Sequence, residues 1–130
     1  MSIIVDDEAQ RPWGYYEVLL DTPYTKVKEI TVEPGHRLSY QSHKHREEYW
    51  TCVAGELTVI LDDKELYLPY GHSIHIPLGS KHRMWNKGKD DLKVVEVQVG
   101  SYFGEDDIIR YEDDYDCLLY TSDAADDRMR

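Results

Sequence analysis

The chain has 130 residues, a length that fits one domain whose single core buries roughly two thirds of its unfolded surface. Its 41% hydrophobic and 32% charged residues exclude a disordered chain, and no apolar run approaches the roughly 18 to 20 residues of a spanning helix. The net charge of −11 argues against nucleic acid or an anionic membrane as partner. Residues 105–130 hold ten acids against three bases, so any cationic pocket must be local. The first ten residues carry three acids where a secretory leader needs a basic start, so export is not expected. Cys52 and Cys117 lie far apart with no CxxC spacing, which fits a reducing cytoplasm.

Taken in chain order, the pattern alternates with a period of two and breaks at turn signals every eight to twelve residues. It predicts strands at Tyr15–Leu20, Lys26–Val32, Tyr49–Val53, Leu57–Leu61, Lys64–Leu68, Ser73–Ile76, His82–Asn86 and Leu92–Val99. Between them stand Pro34-Gly35, Ala54-Gly55, Asp62-Asp63, Tyr70-Gly71, Leu78-Gly79 and Lys87-Gly88, each suited to a bend or hairpin. Closing such strands on one another removes exposed edges, so the expected architecture is an all-β, single-domain jelly-roll barrel. Residues 105–110 are expected to form one helical turn, and no linker interrupts the chain before residue 115.

Chemistry begins after Gly35, with His43, Lys44, His45 and Glu48. Two residues apart on a strand project from one face, so His43 and His45 are expected to offer two imidazoles to one divalent metal. Glu48 follows at an odd offset and joins them only through a bulge near Arg46 and Glu47. Farther on come Gly71, Pro77, Gly79, His82 and Asn86. A bend at Leu78-Gly79 can carry His82 across the barrel, so that three histidines and a carboxylate surround one cation and leave a position open.

These two halves resemble the paired motifs of the cupin superfamily, the first with a shortened spacing between His45 and Glu48. Together with Arg11-Pro12-Trp13-Gly14, Gly35-His36-Arg37-Leu38-Ser39, Gln41-Ser42-His43, Arg46 and Trp50, that spacing resembles the type II phosphomannose isomerases. These form the C-terminal cupin of bifunctional mannose-1-phosphate guanylyltransferase/mannose-6-phosphate isomerases. The ending from Glu96-Val97-Gln98 through Gly104-Glu105-Asp106-Asp107-Ile108 to Tyr115 is similar too. Tyr49, Cys52 and Ala54 depart from the pattern within one strand, where altered packing is expected. The resemblance implies a cupin domain over residues 1–115, with its core at 11–104, and residues 116–130 read as an appended tail. No nucleotide-gripping glycine-rich segment is present, so the activity expected of these 130 residues is the isomerase half.

That activity moves a proton between C2 and C1 of an open-chain sugar phosphate. The resemblance implies one divalent metal at His43, His45, Glu48 and His82, zinc foremost, with manganese, iron, cobalt or nickel as alternatives. The dianionic phosphate calls for fork-shaped or ammonium donors, for which Arg37, Arg46, Arg83 and Lys81 are candidates and Arg11 an outsider. Tyr40 and Gln41 are expected to orient sugar hydroxyls. Glu96 and Lys81 lead as the catalytic base; His75 and Gln98 are further pocket candidates. His36 and His72, beside glycines at turns, read as structural or solvated. Trp13, Trp50 and Trp85 read as core, residues 112–114 as a solvated face, and the many tyrosines as pocket or subunit-contact surface. The expected partners are a small sugar phosphate and a second copy in a homodimer. Two rival functions remain: a non-catalytic sugar-phosphate module partnering a guanylyltransferase, and a cupin dioxygenase.

Overall fold

A computed structural model describes residues 10–115, and the expected tail at 116–130 lies outside them. Among the described residues the strands are β1 (Gln10–Arg11), β2 (Gly14–Asp21), β3 (Thr25–Val32), β4 (Tyr40–His43), β5 (Arg46–Ala54), β6 (Leu57–Leu61), β7 (Lys64–Leu68), β8 (Ser73–Ile76), β9 (His82–Trp85), β10 (Leu92–Gly100) and β11 (Ile108–Glu112). They form two antiparallel sheets, ordered β1-β2-β3-β10-β5-β8 and β11-β4-β9-β6-β7, which make a cupin jelly roll. No helix among these residues is long and apolar enough to cross a membrane.

All eight predicted strands are present, and three more had not been expected: β1, β4 and β11. The helical turn expected at residues 105–110 is a single 3₁₀ turn, Glu105–Asp107, which gives way at once to β11. Asp62 and Asp63 both adopt positive φ, 48° and 69°, the conformation a two-residue hairpin needs between β6 and β7.

Alternation along the three central strands decides where the core ends and the site begins. On β10 the buried residues are Leu92, Val94, Glu96 and Gln98; on β3 they include Val32, Ile30 and Lys28; on β5 they are Cys52, Trp50, Glu48 and Arg46. Register sets Val94 beside Ile30 and Cys52, Glu96 beside Lys28 and Trp50, and Gln98 beside Glu48. Each inward row therefore changes from apolar to polar in the same direction. Leu57, Val59, Leu68, Ile76 and Met84 complete the apolar end, each side chain worth roughly 1.5 to 3 kcal/mol of burial. The polar end is a pocket.

At the start of β2, Gly14 has φ +150°, and a Cβ there would stand 2.1 Å from the Thr31 carbonyl oxygen. β2 is thus pressed onto β3 at its first residue. Gly14→Ala is expected to cost about 2 kcal/mol or more, read as a lower denaturant midpoint at unchanged slope. A midpoint equal to wild type would show that the strand relaxes freely.

Candidate metal centre

The pocket opens at the polar end of the barrel and has a cavity volume of about 130 Å³. At its floor His43, Glu48 and His82 place their ligand atoms within 4.8 Å of one another, all three buried. His43 comes from the end of β4, Glu48 from β5 and His82 from the start of β9, so both sheets contribute. Gly79, at φ +80°, turns the chain before β9 and donates its N–H to the His43 carbonyl at 3.0 Å, which ties the bend to the end of β4. The predicted swing of His82 toward His43 is present: their ring centroids are 5.0 Å apart.

Glu48 is the hub of this floor. Its Oε1 accepts the Trp50 indole N–H at 2.9 Å and lies 3.7 Å from His82 Nε2. Its Oε2 accepts Arg46 Nε–H at 3.0 Å and lies 3.2 Å from His43 Nε2. Burial opposes ionisation, but the His43 hydrogen bond and the His82 and Arg46 charges outweigh it and hold Glu48 well below the usual carboxylate range. Burial pushes His82 down, favouring the neutral imidazole despite the attraction of Glu48. His82 Nδ1–H donates to the Ser80 carbonyl at 2.9 Å, which leaves the Nε2 lone pair facing Glu48. His43 Nδ1 is buried without a hydrogen-bond partner among the described residues. A divalent cation fits this donor set of two imidazoles and one carboxylate, with coordination positions left for oxygen ligands.

His45 is not part of it. β4 ends at His43, and the chain crosses from one sheet to the other at Lys44 and His45, whose backbone N–H groups donate to the Asp107 carboxylate at 3.1 and 3.0 Å. The same-face rule does not survive that corner. The His45 side chain is 56% exposed beside Tyr102, and β5 resumes with Arg46 inward. No bulge at Arg46 and Glu47 is needed to turn Glu48 inward.

The expected substrate and base residues divide in the same way. Arg46, Arg83, Gln41 and Glu96 line the pocket, while Arg37, Tyr40 and Lys81 do not. Arg37 lies over Trp85 at 4.6 Å and pairs with both Asp114 oxygens at 2.6 and 2.9 Å. Tyr40 shares a 2.8 Å hydrogen bond with Asp63, and the Lys81 ammonium stands 4.8 Å from the Tyr111 ring centroid. His75 faces outward against Glu47 at 2.5 Å and stacks on Tyr49. Arg83 reaches the pocket wall but donates to Leu38 O at 2.9 Å and to Glu112. The run at 112–114 is thus a strap of ion pairs rather than a solvated face. Trp50 is core as expected, whereas Trp85 lies half-buried between Arg37 and Lys87.

Sequence reasoning missed Lys28, Tyr16, Arg110 and Tyr115, which also line the pocket. Lys28 had a signal: it lies two residues before Ile30 on the buried row of a predicted strand. Glu96, also fully inside, receives a 2.6 Å hydrogen bond from Gln98 Nε2. Burial first, and then the Glu48 charge, push its carboxyl up to about 8. The unfolded chain releases this proton near 4.5, so between those values the folded state binds the proton and the unfolded state does not; stability falls as pH rises through the window. In metal-free protein, Glu96→Gln is expected to remove a slope of up to about 1.4 kcal/mol per pH unit there. Denaturation midpoints at pH 5 and pH 8 check it, and parallel pH profiles for the two proteins would refute it.

The family described as "Mannose-6-phosphate isomerase C-terminal" matches residues 2–113. An alginate biosynthesis protein of Pseudomonas aeruginosa is 50% identical over 108 residues, 83% of this chain and 22% of that protein. A mannose-1-phosphate guanylyltransferase of Klebsiella pneumoniae is 45% identical over 108 residues, 83% of this chain and 23% of that one. The chain thus spans about a fifth of the length of these relatives. Among solved structures, a double-stranded β-helix protein from Klebsiella pneumoniae superposes with a TM-score of 0.69 at 24% identity, covering 85% of this chain and 91% of that one. The capsular polysaccharide assembling protein CapF of Staphylococcus aureus gives 0.68 at 23%, covering 78% and 33%. These structural likenesses speak for the fold, and the family match, running from before β1 into the strap after β11, places the chain in the mannose-6-phosphate isomerase C-terminal family.

Proposed function

We propose that this chain interconverts mannose 6-phosphate and fructose 6-phosphate with one divalent metal ion held by His43, Glu48 and His82. The observation that carries the reading is the buried two-histidine, one-carboxylate floor of a pocket whose wall also carries Gln41, Lys28, Glu96 and Gln98. When bound, the ion supplies charge stabilisation at the sugar's carbonyl and neighbouring hydroxyl oxygens as the C–H proton leaves. Glu96 takes the part of proton carrier between C2 and C1, because it is a carboxyl inside the pocket beside Glu48. Lys81, outside the pocket, has no such part. Arg46 holds Glu48 and His43 in place, and Gln41, on the same face of β4 as His43, meets sugar hydroxyls. The site of action is proposed to be the cytoplasm, and the working unit a homodimer.

The ligand set itself favours one second reading. Two histidines and one carboxylate also form the facial triad of iron oxygenases, so oxygen uptake with iron in place of sugar turnover would select a dioxygenase. Saturable binding of sugar phosphate with no turnover under any metal would select a binding module instead.

A coupled isomerase assay on the purified chain is expected to show turnover that chelator abolishes and one added metal restores. His43→Ala and His82→Ala are each expected to reduce bound metal and turnover to background in folded protein. His45→Ala is expected to keep its metal stoichiometry. Full metal content in His82→Ala, or its loss in His45→Ala, overturns this ligand assignment.

A further inference from the structure

The metal centre leaves two features without a role: the Arg11-Pro12-Trp13-Gly14 quartet and the buried Lys28. Lys28 faces inward from β3, 8% exposed, in register with Glu96. Its ammonium lies 4.5 Å from the Tyr16 ring centroid, and the Arg11 guanidinium lies 5.2 Å from the same ring. Both cations line the pocket. Among the described residues the Lys28 ammonium has no hydrogen-bond acceptor and no carboxylate within ion-pair distance. Glu96, across the sheet from it, bonds instead with Gln98 and Glu48. An ammonium has three N–H donors, and holding them in a nearly buried place without acceptors costs free energy that an incoming anion returns.

The quartet explains how Arg11 reaches that place. Gly14 lets β2 begin against the Thr31 carbonyl, and the Pro12-Trp13 turn folds β1 back so that Arg11 pairs with Gly14 and Gln10 with Tyr15. Arg11 is thereby brought to the ring of Tyr16, which Lys28 also meets. Arg11 also donates to the Gln10 carbonyl at 2.8 Å, while Arg46 is held by Glu48 and His43, Arg83 by Leu38 O and Glu112, and Arg110 lies 4.0 Å from Asp113. β3 and β5 flank β10, and Lys28 is level with Trp50, so Lys28 and Glu48 lie two strand spacings across and two residues along, about 12 Å between backbones. An extended hexose phosphate can bridge that separation.

We propose that Lys28 and Arg11, set about the ring of Tyr16, form the subsite for the phosphate of a phosphorylated sugar whose carbonyl end lies at His43, Glu48 and His82. The assignment rests on the isomerase reading for the identity of the sugar, but not for the anion. Phosphate is thus held on the wall opposite the strap, and not by Arg37 or Arg83.

Calorimetric titration of the whole chain with mannose 6-phosphate, mannose and inorganic phosphate tests it without requiring turnover. Lys28→Gln is expected to weaken mannose 6-phosphate and inorganic phosphate at least about tenfold while leaving any mannose binding as it was, and Lys28→Arg is expected to recover most of the loss. Arg11→Gln, on the terminal strand, is expected to weaken both phosphates in the same sense and stands in should Lys28→Gln fail to fold. Where turnover is measurable, the loss appears in KM more than in kcat. Phosphate affinity unchanged in the folded variants, or no phosphate binding by wild type, overturns the subsite even if isomerisation is observed. Phosphate binding that depends on Lys28 in a chain without turnover supports the subsite and removes the isomerase reading alone.

Discussion

A buried carboxylate is the constraint on which this barrel turns. Taking Glu48 out of water costs several kcal/mol unless charge and hydrogen bonds replace the lost hydration. The replacement comes from both sheets. Arg46 and Trp50 stand two residues to either side of Glu48 on β5 and so share its face, while His43 and His82 arrive from β4 and β9 in the other sheet. At the apolar end the sheets are held together by Val, Leu, Ile and Met contacts, and at the open end by what converges on one carboxyl group. Site geometry and barrel closure are therefore one feature at that end, and a change to Glu48 acts on both.

The register of the central strands makes this division possible. β3, β10 and β5 each turn polar at the same level, because the antiparallel pairing aligns Lys28 with Glu96 and Glu48 with Gln98. A one-residue slip in any of them would exchange its buried face for its exposed one. The apolar half pins the register, so the polar half inherits its alignment from residues that take no part in chemistry. Ligand positions on rigid strands, fixed by packing elsewhere, are the preorganisation such a centre needs.

Much of this was legible before any coordinates, and the misses have physical causes. β3, β5 and β10 are long and alternate cleanly. β4 was missed because its inward residues, Gln41 and His43, are polar and leave no apolar period to read. β11 was hidden by Glu105, Asp106 and Asp107, three acids that look like the start of a helix. Asp107 instead caps the corner at Lys44 and His45, and that corner is why two histidines spaced like ligands do not face one point. Arg37, Tyr40 and Lys81 were chosen for nearness in sequence to His43 and His82, but nearness is not direction. Lys81 immediately precedes inward-facing His82, and alternation sends it outward. Arg83 is turned the same way and is buried only because Leu38 and the strap at the end of β11 cover it.

The strap also bears on how so acidic a chain would receive the proposed dianion. Glu112 and Asp114 neutralise Arg83 and Arg37, which removes positive charge from one wall of the pocket and keeps those arginines from competing for an anion. Lys28, which has no carboxylate within ion-pair distance among the described residues, lies on the opposite wall, nearly buried, where a charge is far less screened than on the surface. The net charge of −11 acts at long range, yet at physiological salt it fades over about 8 Å. Inside the mouth, local placement therefore outweighs composition. The overall acidity disfavours a polyanionic partner spread over the surface, yet it is compatible with the small anion proposed for one end of a pocket whose floor, at the other end, holds the candidate metal ligands.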